Sequence, residues 1–234
     1  MNPLKIKTIE TYNQNSKQIA EKAAEYFIKY RYLADDFLLE LKNRRYPRHA
    51  STTILDLGCG SGEATEYMHG HFPGFRAMGV DLSDGMLEEA RKKNIQVKKM
   101  DIENLEFAPA YFDGIWSMCS LVHLEKENML DVLRSLHNIL KSDGRLFICL
   151  KAQSEVFLRN FLGKLVCVSD EDGVPTTTPP WFIEKDNRFL SYWRKEEFLE
   201  VIKPMFTVVA SSEICRTTKN AVTSFLCFTL KKGG

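Results

Sequence analysis

Thr53-Ile54-Leu55-Asp56-Leu57-Gly58-Cys59-Gly60-Ser61-Gly62-Glu63, followed by Phe75-Arg76-Ala77-Met78-Gly79-Val80-Asp81, is the stretch that decides how this chain folds. Ile54 to Leu57 is a short apolar run that suits a buried parallel strand. The glycines after it permit a tight turn that brings bare backbone against a ligand. A helix is expected directly after the turn, and Phe75–Val80 supplies a second strand. Asp81 ends that strand 19 residues past Gly62, about where a nucleotide fold holds the acid that accepts hydrogen bonds from a ribose. The stretch reads as a βαβ nucleoside site.

The same rhythm continues on both sides. Apolar residues at Ile19, Ala23, Phe27, Tyr30, Ala34, Phe37, Leu38 and Leu41 recur near helical spacing, so residues 15 to 45 predict one long helix or two shorter ones, closed by Pro47. Tyr12 is expected to precede that first helix. Later strands are expected at 96–100, 112–119 and 145–150, with helices at 84–93 and 126–141. Leu130, Leu133, Leu136 and Leu140 form one stripe of the last of these, a sheet-packing face. Alternation of this kind predicts an α/β fold: a doubly wound, Rossmann-like, mostly parallel sheet with helices on both faces. Beyond Leu150 the alternation breaks. Residues 151–193 hold the acidic Asp170-Glu171-Asp172, a turn-rich stretch and the aromatics Trp181, Phe182, Phe189, Tyr192 and Trp193. A last helix at 194–202 and two final strands, near 207–212 and 223–231, complete the expectation. The domain reading is a single unit over 1–234: an N-terminal helical segment (1–50), a nucleoside-binding core (51–150), an acceptor-side insertion or cap (151–193), and a C-terminal helix with an antiparallel strand pair (194–234).

Loop charge narrows the ligand. A dinucleotide fingerprint is G-x-G-x-x-G and presents a helix start to a pyrophosphate, whereas this loop is G-x-G-x-G flanked by Asp56 and Glu63. Carboxylates there disfavour a diphosphate and favour a cation. Asp56-Leu57-Gly58-Cys59-Gly60-Ser61-Gly62 resembles the first motif of the class I S-adenosylmethionine-dependent methyltransferases, and the resemblance covers roughly residues 53 to 150. It implies S-adenosylmethionine as cofactor, S-adenosylhomocysteine as product, and contacts from Asp56, Gly58, Cys59 and Gly60. Gly79-Val80-Asp81-Leu82-Ser83 resembles the second motif, which implies Asp81 on the ribose hydroxyls and Leu82 on one face of the adenine. Lys99-Met100-Asp101-Ile102 resembles the segment after the third strand, which implies Asp101 on the adenine amino group and Ile102 against the ring. Phe112-Asp113-Gly114-Ile115-Trp116-Ser117 resembles the fourth-strand motif, which implies Ser117 as a cofactor-binding residue and a tail, Met118–Leu124, edging the methionine part of the cofactor and the acceptor pocket. Gly114 departs from that pattern, where a larger apolar residue is usual.

His123 titrates near neutrality and could assist proton removal from an acceptor; a structural role at a helix entrance is the competing reading. Tyr12, Trp181 and Tyr192 are candidate acceptor-binding residues. Methyl transfer needs neither metal nor covalent intermediate, no His, Cys, Asp or Glu cluster has ligand spacing, and no metal is expected.

Composition sets outer bounds. The 234 residues are 44% hydrophobic and 27% charged with a formal net charge of +1, so no global field drives the chain toward nucleic acid or an anionic membrane. Six cysteines without a C-x-x-C pair, no apolar start and no run of eighteen apolar residues lead us to expect reduced thiols, a cytoplasmic setting and no membrane span. A small-molecule acceptor is favoured over RNA. The alternatives kept open are a tRNA methyltransferase of the wobble-uridine type, which the segment from Arg188 resembles only loosely and without that family's aromatic-histidine arrangement, and a non-catalytic cofactor-binding protein or partner subunit. Arg44-Arg45-Tyr46-Pro47-Arg48-His49 is the basic cluster that would serve the former.

Overall fold

The computed structural model describes residues 2–43, 51–153, 157–159, 165–167, 181–183, 187–217 and 222–233. The basic cluster at 44–49 and the acidic patch at 170–172 lie outside them. The chain opens with helix α1 (Pro3–Gln14), not expected from hydrophobic spacing. Asn2 caps it, its side chain accepting the Leu4 N–H at 2.8 Å, and Pro3 stands at the first helical position. Both are strong helix-start signals. Tyr12 therefore lies within a helix rather than ahead of one.

Helix α2 (Ser16–Lys42) follows as a single element. Its second half buries Leu33, Ala34, Phe37, Leu38 and Leu41. Then come β1 (Thr52–Leu57), α3 (Glu63–Met68), β2 (Phe75–Asp81), α4 (Asp84–Arg91), β3 (Val97–Lys99), β4 (Phe112–Met118), α5 (Lys126–Ile139) and β5 (Leu140–Ala152). Short strands β6 (Phe157–Arg159), β7 (Leu165–Cys167) and β8 (Trp181–Ile183) precede β9 (Phe189–Trp193), α6 (Lys195–Ile202), β10 (Phe206–Thr217) and β11 (Val222–Lys232).

The main sheet runs β10-β11-β5-β4-β1-β2-β3. β1 lies parallel to β2 and β4, β4 to β5, and β2 to β3, whereas β11 is antiparallel to β5 and to β10. After β3 the chain crosses back to the other side of β1, so the order reverses between β1 and β4. Ligands of open α/β sheets bind at the carboxyl ends of strands at such a switch point.

Alternation along β1 explains the layering. Ile54 faces a cluster with Phe37, Leu41, Trp116, Phe147 and Cys227 beneath α2, while Leu55 and Leu57 face one with Leu133, Leu136, Phe198 and Ile202 from α5 and α6. Helices thus cover both faces. α5 stops at Ile139, two residues before the expected end: Leu140 turns extended and is fully buried, pairing with Phe112 before a bulge that Asp143, at φ 67°, helps to form. β10 and β11 extend well beyond the expected strands. β9 and α6 form a strand-then-helix unit, and β9 adds a parallel pairing to the end of β5 through Lys151 and Ala152. Of the aromatic cluster, Phe189 and Trp193 are core residues and Tyr192 packs against the core.

Gly114 has a packing reason. A Cβ there would come within 2.7 Å of Leu41 Cδ1 and 2.9 Å of Phe37 Cζ, so glycine at this strand position lets α2 settle onto β4. Gly114→Val should destabilise the fold by about 1–3 kcal/mol through overpacking. Urea denaturation checks this, and a midpoint no lower than that of the unsubstituted protein would mean that α2 is not held against β4 in this way.

Candidate active site

A cavity of about 750 Å³ opens at the carboxyl ends of β1, β2 and β4 and continues under α1 and the first half of α2. Its nucleoside-like end is built by backbone geometry. Gly58, Gly60 and Gly62 all take positive φ, between 54° and 83°, which turns the chain sharply after β1. Gly58 must lack a side chain for a second reason, since a Cβ there would overlap Ser120. The turn aims the Gly60 N–H at Asp81 Oδ2, 2.9 Å away, while the Ser83 N–H donates to Asp81 Oδ1 at 2.8 Å. Asp81 is thereby clamped between the glycine loop and the turn after β2. Burial pushes its carboxyl above the ordinary range and these backbone N–H groups oppose the rise.

Asp56 sits deeper, only 3% exposed, and accepts the Thr65 hydroxyl at 2.6 Å. Burial raises its pKa to about 7, with the negative charges of Asp81 and Glu63 adding to the rise and the Thr65 bond lowering it. Glu63 itself is compensated, accepting from Lys93 Nζ at 3.0 Å and from Ser61 Oγ at 2.7 Å. The loop's bias against anions therefore rests on Asp56 and Asp81 rather than on Glu63. Leu82, Asp101 and Ile102 line the same end. Asp101 meets α1 directly, both of its oxygens lying 2.6 Å from Lys5 Nζ. It also caps its own turn by accepting the Glu103 N–H at 3.0 Å.

At the other side of Gly58, β4 ends in a tight turn with Cys119 at φ 58°. Ser117 is fully buried and is not among the described residues lining the cavity; its hydroxyl lies 2.7 Å from that of Ser120, which does line it. Strand alternation turns Ser117 inward, and the following turn brings Ser120 out, where it donates to the Leu57 carbonyl at 2.6 Å. Ser120 is thus a wall residue within the 118–124 tail expected at the cavity, whereas Met86 and Arg188 are wall residues that motif reading missed. Cys119 Sγ lies 3.5 Å from Cys149 Sγ, and the thiol contact together with Lys151 draws its pKa down against burial.

Tyr12 and His123 come together from opposite ends of the chain. His123 Nδ1 is 2.7 Å from the Phe189 carbonyl oxygen, an acceptor only, so Nδ1 carries the proton and donates. Nε2 then accepts the Tyr12 hydroxyl at 2.9 Å. Arg188 donates to the same phenol oxygen at 3.3 Å and lies over the Tyr12 ring. Burial raises the Tyr12 pKa, opposed by the charge and hydrogen bond of Arg188. Tyr192 does not line the cavity among the described residues; Lys151 lies over its ring. Trp181 pairs with Ser191 through the backbone of β8, and its side chain lies outside what the structure describes. Among the described residues, no group of three or more His, Cys, Asp or Glu is arranged to hold a metal ion, and no helix is long and apolar enough to cross a membrane.

The strand order, the glycine turn and the clamped acid agree with what comparison finds. Residues 54–144 match the family model described as a methyltransferase domain. Residues 54–144 are a methyltransferase domain of the class I type. The chain is 36% identical over 111 residues to the malonyl-[acyl-carrier protein] O-methyltransferase of Bacillus cereus, covering 46% of this chain and 40% of that protein. It spans about two-fifths of the length of the curated relatives that head the comparison. In fold it is similar to an S-adenosylmethionine-dependent methyltransferase from Mesorhizobium loti, with a TM-score of 0.60 at 19% identity over 83% of this chain and 95% of that one. It is likewise similar to the 1,6-didemethyltoxoflavin-N1-methyltransferase of Burkholderia thailandensis, solved with its acceptor and S-adenosylhomocysteine bound, with a TM-score of 0.57 at 19% identity over 94% of this chain and 90% of that one. The sheet of the methyltransferase domain carries the antiparallel β10–β11 pair beyond the matched residues.

Asp56 makes stability depend on pH in a defined direction. The folded protein keeps this proton up to about pH 7, whereas an unfolded chain releases it near the ordinary value of about 4. Between those values the folded state binds more protons, so this group's contribution favours folding least at the upper end and stability falls as pH rises through that window. Asp56→Asn keeps the shape without the charge, and its stability relative to the parent should climb from about pH 4 to about pH 7. Parallel denaturation curves at several pH values check this; a constant difference would mean that Asp56 gives up its proton at the same pH in the folded and unfolded chains.

Proposed function

We propose that the protein binds S-adenosylmethionine at the acid-lined end of the cavity and transfers its methyl group to a small organic acceptor. The observation that carries this reading is the clamped Asp81 carboxylate, held at the switch point by the Gly60 and Ser83 N–H groups with further lone pairs available toward the cavity. An ionised carboxylate with fixed orientation suits two ribose hydroxyls. Leu82 and Ile102 stand where they could bracket a planar base, with Asp101 at its edge, and Asp56, Gly58, Cys59 and Gly60 line the stretch for a cationic tail.

The bound cofactor supplies an electrophilic methyl on a sulfonium: an acceptor lone pair forms the new bond, the old bonding pair stays on sulfur as a neutral thioether, and a protic acceptor sheds one proton. The chain's own task is positioning, which can supply up to roughly 7–11 kcal/mol in well-oriented cases. Tyr12 and His123 are assigned to the acceptor end. His123 is held as the tautomer with a basic Nε2, so a proton leaving the acceptor can pass to Tyr12 oxygen as the Tyr12 proton moves to His123. Chain organisation is read accordingly: one unit over 1–234, with 1–50 as a helical cover, 51–150 as the cofactor core, 151–193 as an acceptor-side cap and 194–234 as the closing helix and strands. The relatives' names speak for small or carrier-bound organic acceptors, and the near-neutral net charge of +1 supports a small molecule over tRNA.

Calorimetry tests the cofactor reading. S-adenosylhomocysteine should bind and a nicotinamide dinucleotide should not, and Asp81→Ala should weaken the former by about 1.5–3 kcal/mol while the protein stays folded. Unchanged affinity in the folded variant would move the ribose contact elsewhere. Affinity should also rise as pH is raised toward about 7, because a cationic ligand favours the ionised form of Asp56, whose pKa stands at about 7. Isotopically labelled S-adenosylmethionine, supplied with a metabolite extract or with bulk tRNA, should label the metabolite fraction; label in tRNA alone would reverse the acceptor assignment.

A further inference from the structure

The cavity does not end with the nucleoside-like site. Its far half runs between the first half of α2 and the strands β4, β5, β10 and β11, and is walled by Ala23, Phe27, Tyr30, Trp116, Ile214 and Phe225. Ala23, Phe27 and Tyr30 follow one another at helical spacing on one face of α2. The second half of the same helix buries Leu33, Ala34, Phe37, Leu38 and Leu41, whereas these three are only partly buried and border the cavity. Phe27 and Tyr30 also pack against the core beneath α2, so this apolar face is shared between core and chamber, and its chamber side suits an apolar occupant.

Charge is divided along the same axis. Among the described lining residues the carboxylates are Asp56, Glu63, Asp81 and Asp101, all in the nucleoside half. Lys5, the cation in that half, is engaged with Asp101 and Glu103. The far half carries Lys22, Lys151 and Arg188, from α2, β5 and the approach to β9, and no carboxylate among the described lining residues. A cleft lined by one sign of charge over low-dielectric walls concentrates the opposite charge.

Resting on the reading of the acid-lined half as the methyl donor's site, we propose that the far half is the acceptor chamber and that the acceptor is an amphipathic organic anion: an apolar or aromatic body carrying a carboxylate-like charge. The body lies between α2 and β11, and the charge is held toward Lys151 and Arg188. The specificity-determining residues are then those of α2, β5 and β11, a different set from the aromatic cluster of residues 181–193.

Two probes of nearly the same shape separate apolar fit from charge: anilinonaphthalene sulfonate and the uncharged phenylnaphthylamine, titrated by fluorescence into the protein saturated with S-adenosylhomocysteine. One sulfonate probe should bind per chain, about tenfold or more tighter than the neutral one. Ala23→Trp fills the chamber from α2 and should weaken both probes by at least about tenfold, leaving affinity for S-adenosylhomocysteine unchanged. Thr223→Phe fills it from β11 and serves the same purpose if the first variant does not fold. Lys151→Gln should weaken the sulfonate several-fold and leave the neutral probe unaffected. Equal affinity for the two probes, or a silent Lys151→Gln, overturns the anionic class. Undiminished probe binding in a folded filling variant, or displacement of the probe by S-adenosylhomocysteine, overturns the chamber. A separate titration of S-adenosylhomocysteine without probe reads the donor-site assignment: its failure to bind strikes that assignment alone, and the filling variants then test the chamber in the protein without it.

Discussion

The site depends on the pair of hydrogen bonds that fix Asp81, because they join two segments that the chain otherwise keeps separate. One donor, Gly60 N–H, belongs to the loop after β1; the other, Ser83 N–H, starts the turn into α4. Only a left-handed backbone at Gly58, Gly60 and Gly62 lets the loop fold back far enough to reach the end of β2. The register of β1 on β2, with Leu57 opposite Val80, sets the acid beside the loop. Gly58 and Cys59 N–H both donate to the Val80 carbonyl, at 2.8 and 2.9 Å, so the loop is pinned to β2 immediately before Asp81. Sheet register, loop conformation and acid position are therefore one constraint.

That constraint leaves two desolvated carboxylates close together. Burial lifts Asp56 to about 7, with Asp81 adding to the rise as a like charge, and burial lifts Asp81 too, restrained by its backbone donors. Desolvation penalises the ionised form, and a cation restores what water would have supplied. Glu63, drawn off by Lys93, and Asp101, drawn off by Lys5, contribute less field than their number suggests. The pull on a cation is therefore concentrated at the centre of the nucleoside half, and the lysines and arginine of the far half give the cavity an electrical direction along its length.

Much of this was legible in the sequence because local chemistry and global topology agree there. The glycine turn, the acid at the end of β2 and the alternation of strands and helices each follow from short-range rules, and the strand order follows from them. Motif matching carries no facing information, so it does not separate Ser117, which is fully buried, from Ser120, three positions on in the expected 118–124 tail and past the turn at Cys119, which lines the cavity. Gly114 departs from the motif because α2 lies directly over it, a contact that spacing along β4 does not encode. The α2 wall of the cavity was hidden for a different reason. Ala23, Phe27 and Tyr30 belong to an apolar stripe that continues into Leu33 and Phe37, and nothing in the spacing marks where the stripe leaves the sheet.

Helix α1 was missed because apolar spacing is the wrong signal for it. Its buried residues are Thr8 and Thr11, and it is held on by polar contacts: Asn13 Oδ1 accepts from Ser83 Oγ at 2.7 Å and Gly85 N–H at 3.0 Å, and Thr8 Oγ1 accepts the Phe189 N–H at 2.9 Å. Lys5 on Asp101 and Tyr12 on His123 complete the attachment. Every one of these partners is a wall or a neighbour of the cavity, so α1 touches Asp101, the turn into α4 and His123 at once. Water can replace such contacts at a net cost of only about 0.5–1.5 kcal/mol each for neutral groups, whereas detaching α2 would expose Phe37 and Leu38. Of the two helices that cover the site, α1 is therefore the one held mainly by polar contacts and α2 the one held by apolar burial.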